Sequence, residues 1–424
     1  MDQDTARALF DHGACLVILD APVGIEFGID LETWQTGPRF KGLKMVPPGV
    51  HLVHYSSVGS EFQTGIRTSM FRSFEPREVA VWRWAAETEE LEPVDGVDAD
   101  RVGQHIRDLD AGLGVYPLGD VYGRWRELTS EVSGMLLERV MPEGGRFSSA
   151  TGSAYEDEEL RAVRRMLVAK AQSMEEQGVS VADAQAIVDS EAQASSGGGD
   201  RFRFEPIDIR RSFARDAAPD EVRRFSQDKS WLLRRLLRSG RFSVSELPGS
   251  GELPGSEELP GSGELPGSGE LLGSGELSGC KGLLGELQLA FVVILVGQNF
   301  SGLEHWKRLL HLVLGSAEVL GDIRMVRGLV VPVLRILRSQ LRQCPPEFVA
   351  SVLEQDNFVA DILRRLVLAI HECPSAEARR ELDPEIAALQ ALLAPLGWDL
   401  PSGAQLQAEA DIEEGEYAPQ IVDL

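Results

Sequence analysis

An α+β protein of two domains, an N-terminal β-rich, sandwich-like domain followed by a C-terminal all-α bundle, is what three observations predict. Short apolar runs separated by Gly- or Pro-bearing turns follow one another from Ala14 to Trp84, the signature of about six strands. From Gly285 onward, leucine and valine recur at helical spacing in segment after segment. Between these regions, Ser148 to Asp200 is rich in serine, alanine, glycine and acids and ends in Ser195-Ser196-Gly197-Gly198-Gly199, the composition of a flexible connector. The expected organisation is therefore a β-rich domain with a packing helix over 1–147, a linker over 148–200, a helical domain over 201–399 and a tail over 400–424.

Within the first domain, Asp2 to His12 predicts a short helix stopped by Gly13. Strands are expected at Ala14 to Leu19, Ile25 to Ile29, Arg39 to Val46, Val50 to Ser56, Ile66 to Phe74 and Glu78 to Trp84. Val121, Trp125, Leu128, Val132, Met135, Leu136 and Val140 keep helical spacing, so one helix is predicted over Val121 to Val140, ended by Pro142 and Gly144.

The second domain opens on an arginine-rich piece with a predicted helix from Pro219 to Ser239, which has acids in its first turn, arginines in its last and Gly240 at its end. From Glu246 the hexapeptide ELPGSG repeats almost perfectly before decaying into ELSGCK. One leucine per unit buries too little to offset ordering entropy, so a disordered insertion over 246–281 is expected, a long loop inside the helical domain. Leu289 to Val296 is apolar on every helical face and so needs cover all round. It is shorter than the ~20 residues a bilayer span requires. Ser301 and Glu304 form a capping-box pattern, placing a helix start at Ser301, with Leu303, Trp306, Leu309, Leu310 and Val313 on one stripe. Further helices are expected at Asp322 to Arg342, where Pro332 restarts or kinks the run, and at Pro345 to Leu353, Asn357 to Glu372 and Pro384 to Leu393. The closing residues Pro419, Gln420, Ile421, Val422, Asp423 and Leu424 are apolar and β-prone, suited to adding as a strand to a partner's sheet.

The formal charge of −25 argues against general affinity for nucleic acid or anionic membranes, which requires clustered lysine and arginine. Cys15, Cys280, Cys344 and Cys373 show no CxxC spacing, and no leader pattern opens the chain, so a reduced, intracellular protein is expected. No phosphate-binding loop, GxSxG elbow, HExxH or paired CxxC is present, and the seven histidines are scattered. His51 and His54 point to opposite faces of their strand and cannot chelate one metal. His305 and His311, six apart on a helix, read as surface or satisfied histidines. Neither cofactor nor catalytic residue is expected. Asp20 and Asp30 with the histidines are the candidates for a hydrolase reading, and nothing in the sequence places them together. Phe202, Phe204, Phe213, Phe225 and Phe242 among the arginines have the makings of base stacking, but Val222, Phe225, Leu232, Leu233 and Leu236 at core spacing favour packing. Trp306 is read as a core residue before a partner hot spot.

Several stretches together resemble the AAR-two (a1-alpha2 repression) splicing-factor family: GIEFGID at Gly24 to Asp30, GPRFKGLKMVPPGVHLVHYSS at Gly37 to Ser57, LGELQLAFVVILVGQNFSGLEHWKRLL at Leu284 to Leu310, EQDNF at Glu354 to Phe358 and the closing APQIVDL. The likeness covers most of the chain outside Ser148 to Asp200 and the hexad array, which looks like a lineage-specific insertion. It implies a helical bundle similar to VHS domains and a role as an assembly factor of the U5 small nuclear ribonucleoprotein. The implied partner is the central spliceosomal scaffold protein, engaged through its RNase H-like and Jab/MPN-like domains, with the U5 helicase and RNA kept from binding early. In that family the tail bridges the two scaffold domains by strand addition, which falls on Pro419 to Leu424 here. Cytoplasmic and nuclear localisation is implied, with no membrane and no direct nucleic-acid contact. A VHS-like trafficking or ubiquitin-binding adaptor is the alternative, and it leaves the β domain without a role.

Overall fold

The computed structural model describes residues 12–56, 67–94, 96–153, 201–214, 216–243, 274–344, 358–396 and 398–408. All but the last residue of the helix expected over Asp2 to His12, most of the linker, the perfect hexads, the helix at Pro345 to Leu353 and the tail strand Pro419 to Leu424 lie outside them. The chain forms two compact units, one of 1–204 with 289–305, the other of 205–288 with 306–424. The protein is α+β, with the strands in the first unit and a helical second unit.

Among the described residues the first unit carries ten strands: β1 (Ala14–Leu19), β2 (Glu26–Ile29), β3 (Glu32–Gln35), β4 (Gly42–Val46), β5 (Gly49–Ser56), β6 (Thr68–Phe74), β7 (Val79–Ala85), β8 (Glu90–Pro93), β9 (Leu113–Val115) and β10 (Arg146–Ser148). They make two five-stranded sheets, β8-β7-β1-β4-β9 and β10-β6-β5-β2-β3. The first sheet is mixed, because β1 runs parallel to β7 and β4 parallel to β9. The second is antiparallel throughout. Leu16 and Ile18 of β1, Trp82 and Trp84 of β7, and Phe27, Val53 and Phe74 of the other sheet share one buried cluster, the filling of a sandwich. On the opposite face of the first sheet, Val17 and Val81 pack with Ala99 and Val102 of α1 (Val97–Gln104) and with Ile106 and Leu109 after it. Burial on both faces explains why β1 reads as a continuous apolar run. Gly42 is required where β1 and β4 close up, since a Cβ there would lie 1.9 Å from the Leu16 carbonyl oxygen and its φ is +125°.

The helix expected over Val121 to Val140 is two, α2 (Asp120–Thr129) and α3 (Gly134–Val140). Ser133 interrupts it by accepting a hydrogen bond from the Leu136 amide at 3.2 Å as the cap of α3. The second unit begins with α4 (Pro219–Gln227) and α5 (Ser230–Arg238), again two helices where one is expected. Asp228 breaks the run in an extended conformation, with one carboxylate oxygen on the Ser230 amide at 2.7 Å and the other on the Glu318 amide at 2.9 Å.

The next helix, α6 (Ser274–Leu295), corrects two expectations. It starts inside the range assigned to the disordered insertion, because the last, decayed hexads join the apolar run that follows. By length and composition its stretch Gly275–Leu295 would cross a bilayer, yet 78% of that window is buried, as in a core helix. The helix α7 (Phe300–Leu314) starts one residue before Ser301 and is capped by Asn299, whose Oδ1 accepts from the Gly302 amide at 3.0 Å. Asn299 Nδ2 also donates to the Ser148 and Thr151 carbonyls at 2.8 Å, which joins 289–305 to the strand unit. The Gly297 backbone there lies so close to Phe147 of β10 that a Cβ would meet its ring at 2.4 Å. Residues 201–204 and 289–305 therefore pack with the strands, although the range 201–399 expected for the helical domain includes them.

After α7, a helical turn (Ile323–Met325) and a π-turn (Val326–Val330) lead into α8 (Val331–Gln343), with Pro332 in its first turn, where a proline needs no amide. Then come α9 (Phe358–Glu372) and α10 (Ala376–Leu393). The last begins two turns before the expected Pro384, capped by Ser375 on the Ala378 amide at 3.2 Å. It runs through Pro384 because Ala378, Leu382, Leu389 and Leu393 bury one stripe, and that packing outweighs one lost backbone bond. Trp306 is 1% exposed and donates to Gln340 Oε1 at 2.9 Å, while Gln340 Nε2 donates to the Leu287 carbonyl at 3.3 Å. Three helices are thus tied through one buried amide.

Candidate functional site

The most concentrated chemistry in the strand unit gathers at Asp30. This residue ends β2 in a left-handed turn, φ +54°, and its amide donates to the Leu52 carbonyl of β5 at 2.7 Å. That pairing turns the carboxylate back onto β5. Oδ1 accepts from the Leu52 amide at 2.9 Å, and Oδ2 lies 2.6 Å from both His51 Nδ1 and the Tyr116 hydroxyl. The other ring nitrogen, His51 Nε2, is 2.8 Å from the Pro47 carbonyl. The His51 ring has the rings of Phe74, Tyr116, Tyr122 and Trp125 around it, and Trp125 Nε1 donates to the Val50 carbonyl at 2.8 Å. Asp30, His51 and Tyr116 are each 1% exposed. Burial and the neighbouring carboxylate push the Tyr116 hydroxyl far above the usual tyrosine range, so it serves as a donor.

An acid, an imidazole and a phenol at hydrogen-bond distance have the composition of a catalytic centre, but here every reactive atom already holds a partner. A carbonyl can only accept, so Nε2 carries its proton and is engaged with Pro47. In a general base that nitrogen would face substrate. The cluster therefore works as a polar clamp between β2, β5 and the segment after β9.

His54, three residues along β5, lies on the other face, as strand alternation requires. It is 1% exposed, and neither ring nitrogen has a hydrogen-bond partner among the described residues. A Cβ on its strand neighbour Gly28 would sit 2.1 Å from the imidazole, so glycine makes room for the ring. Burial first, then the Arg67 charge, pull its pKa down to about 3. The unfolded histidine titrates near ~6.5, so between these values the unfolded state binds a proton that the folded state does not. This contribution to stability is complete above ~6.5 and falls by about 1.4 kcal/mol per unit as pH drops toward 3. In urea unfolding from pH 7 to pH 4, His54→Leu is expected to flatten the slope of stability against pH; an unchanged slope would exclude His54 as its source.

The remaining sequence candidates do not converge. Asp20 is exposed and pairs with Arg83 at 3.5 Å. His12, His105 and His371 are exposed, His305 is buried and stacked on Phe204 at 4.3 Å, and His311 is half-buried. Among the described residues no group of histidine, cysteine, aspartate and glutamate is arranged to hold a metal ion. All four cysteines are free. Phe202, Phe204 and Phe242 are buried, which removes them from base stacking. The proposed strand Pro419, Gln420, Ile421, Val422, Asp423 and Leu424 lies outside the described residues.

Tyr116 and Trp125 escaped sequence reading as site residues, since only the β2–β5 register brings Asp30 to His51 and only the chain after β9 delivers the phenol. What fold and cluster define is a two-domain α+β protein whose acid–histidine pair is structural. Comparison with known proteins agrees with the resemblance read from the sequence. The family description "AAR2 N-terminal domain" matches residues 12–142 and "AAR2 C-terminal repeat region" matches 204–401. The chain is 30% identical to "Protein AAR2 homolog" of Mus musculus over 374 residues, 86% of this chain and 84% of the relative. It is 30% identical to the Homo sapiens protein of that name over 373 residues, with the same coverage. The Caenorhabditis elegans relative, 28% identical over 400 residues, covers 92% of this chain and 96% of its own. The chain belongs to the AAR2 family, whose role is splicing-related. None of the matched descriptions names an enzyme.

Proposed function

We propose that this protein is a non-enzymatic assembly chaperone of the U5 small nuclear ribonucleoprotein. It binds the RNase H-like and Jab/MPN-like domains of the central spliceosomal scaffold protein and, while bound, blocks premature binding of the U5 helicase and RNA. Pro419 to Leu424 add as a strand to the scaffold, and the cycle runs between cytoplasm and nucleus. The observation that carries the reading is family membership over both domains. The clamp at Asp30 supports it, because the chain's acid–imidazole pair holds strands together and turns no free base outward.

Exclusion of this kind needs no chemistry. A ligand that binds one arrangement of the scaffold shifts the population by its differential affinity alone. The test is binding of the full chain, and of the chain lacking Pro419 to Leu424, to a scaffold fragment holding both domains, with the helicase as competitor. The full chain is expected to bind and exclude the helicase, and the truncated chain to bind at least about tenfold more weakly, a difference of about 1.4 kcal/mol. Failure of both to bind would remove the chaperone reading; equal binding would remove the tail strand from it.

A further inference from the structure

The arginine-rich piece presents a surface at odds with the chain's net charge of −25. A groove of about 670 Å³ is lined by the exposed Arg211, Arg235 and Arg241 and by Phe213, Leu232 and Leu236, which are buried or half-buried. A second depression of about 490 Å³ shares Arg235 with it and adds Trp231, Arg234 and Arg238 along α5. Three of these cations have partners, Arg211 with Asp208 at 3.8 Å, Arg241 with Glu205 at 2.8 Å and Arg238 with Glu276 at 3.2 Å. Arg235 lies over the Trp231 ring at 5.2 Å. The described residues supply no carboxylate for Arg234 or Arg235.

What meets this surface is partly in view. Glu276 opens the last, decayed unit of the hexad array, Glu276-Leu277-Ser278-Gly279-Cys280-Lys281, and it pairs with Arg238 at 3.2 Å. The helix behind it packs closely, because a Cβ on Gly279 would lie 3.2 Å from the Leu237 carbonyl. The chain leaves the groove's lining at Arg241, buries Phe242 and returns at Ser274, so the array is tethered at both ends next to these arginines. Residues 244–273 contain Glu246, Glu252, Glu257, Glu258, Glu264 and Glu270 and no lysine or arginine. A leucine follows each hexad glutamate, directly or after a second glutamate, and offers an apolar group to the apolar part of the lining.

We propose that the arginine-lined groove on α5 is an internal docking site for the glutamate–leucine units of the chain's own ELPGSG array, bound as Glu276 is bound to Arg238. One exposed ion pair is too weak to hold a free peptide. A tether changes that by raising the local concentration to about millimolar, and repetition offers several equivalent units to the same arginines. Docking is then exchangeable and weakened by salt. It is independent of the chaperone reading.

The test titrates a synthetic ELPGSGELPGSG peptide at low salt into the intact chain and into a full-length chain carrying Glu246→Gln, Glu252→Gln, Glu257→Gln, Glu258→Gln, Glu264→Gln and Glu270→Gln. The peptide is expected to bind the neutralised chain at least tenfold more tightly than the intact one, whose groove is already occupied. Adding Arg211→Ala and Arg235→Ala to the neutralised chain should abolish binding without moving its melting temperature, because both side chains are exposed. Binding to neither chain, or equal binding to both, would overturn the proposal. So would equal binding of a peptide with glutamine in place of glutamate.

Discussion

Asp30→Ala is expected to destabilise the strand unit by about 3–5 kcal/mol, the cost of removing one partner from a buried, hydrogen-bonded pair. It deprives the Leu52 amide, the Tyr116 hydroxyl and His51 Nδ1 of the one carboxylate they share. For a unit of this size the melting temperature should fall by roughly 10 °C. Asp30→Asn should cost less, since asparagine tolerates the φ of +54° and keeps an acceptor. Thermal unfolding of both variants checks this, and an unchanged melting curve for Asp30→Ala would return Asp30 to the catalytic candidates.

Trp306→Ala should be of similar size, about 3–5 kcal/mol, because a fully buried indole leaves a cavity that the helices around it fill only in part. Trp306→Phe separates the two contributions. It retains most of the volume and removes the donor to Gln340 Oε1, so about 1–3 kcal/mol is expected. Urea unfolding monitored by helical circular dichroism measures both. Were Trp306 a partner hot spot, the alanine variant would lose scaffold binding and keep its stability.

The strands with strong alternation or continuous burial, Ala14 to Leu19 and Val50 to Ser56 among them, were legible because the apolar pattern and the fold impose the same period. Four strands were missed, Glu32–Gln35, Glu90–Pro93, Leu113–Val115 and Arg146–Ser148; each is only three or four residues long, and their pairing comes from neighbours. Helix breaks failed at Ser133 and Asp228, where a single capping side chain outweighs a continuous apolar stripe. At Pro384 the error ran the other way, with packing outweighing the local breaker. The clamp at Asp30 was hidden for a different reason. Its members come from three separate stretches, and their meeting is a property of strand register that no spacing encodes.

Because residues 289–305 belong to the strand unit, the first unit of this protein is finished late in its synthesis. At about 5–20 residues per second, a ribosome spends many seconds between releasing β10 and releasing the segment that joins Ser148, Thr151 and Phe147. Throughout that interval the nascent sheets lack this cover. The order of translation and the order of folding therefore diverge, and slower elongation across the hexad array would lengthen the time during which the strand unit waits for its last segment.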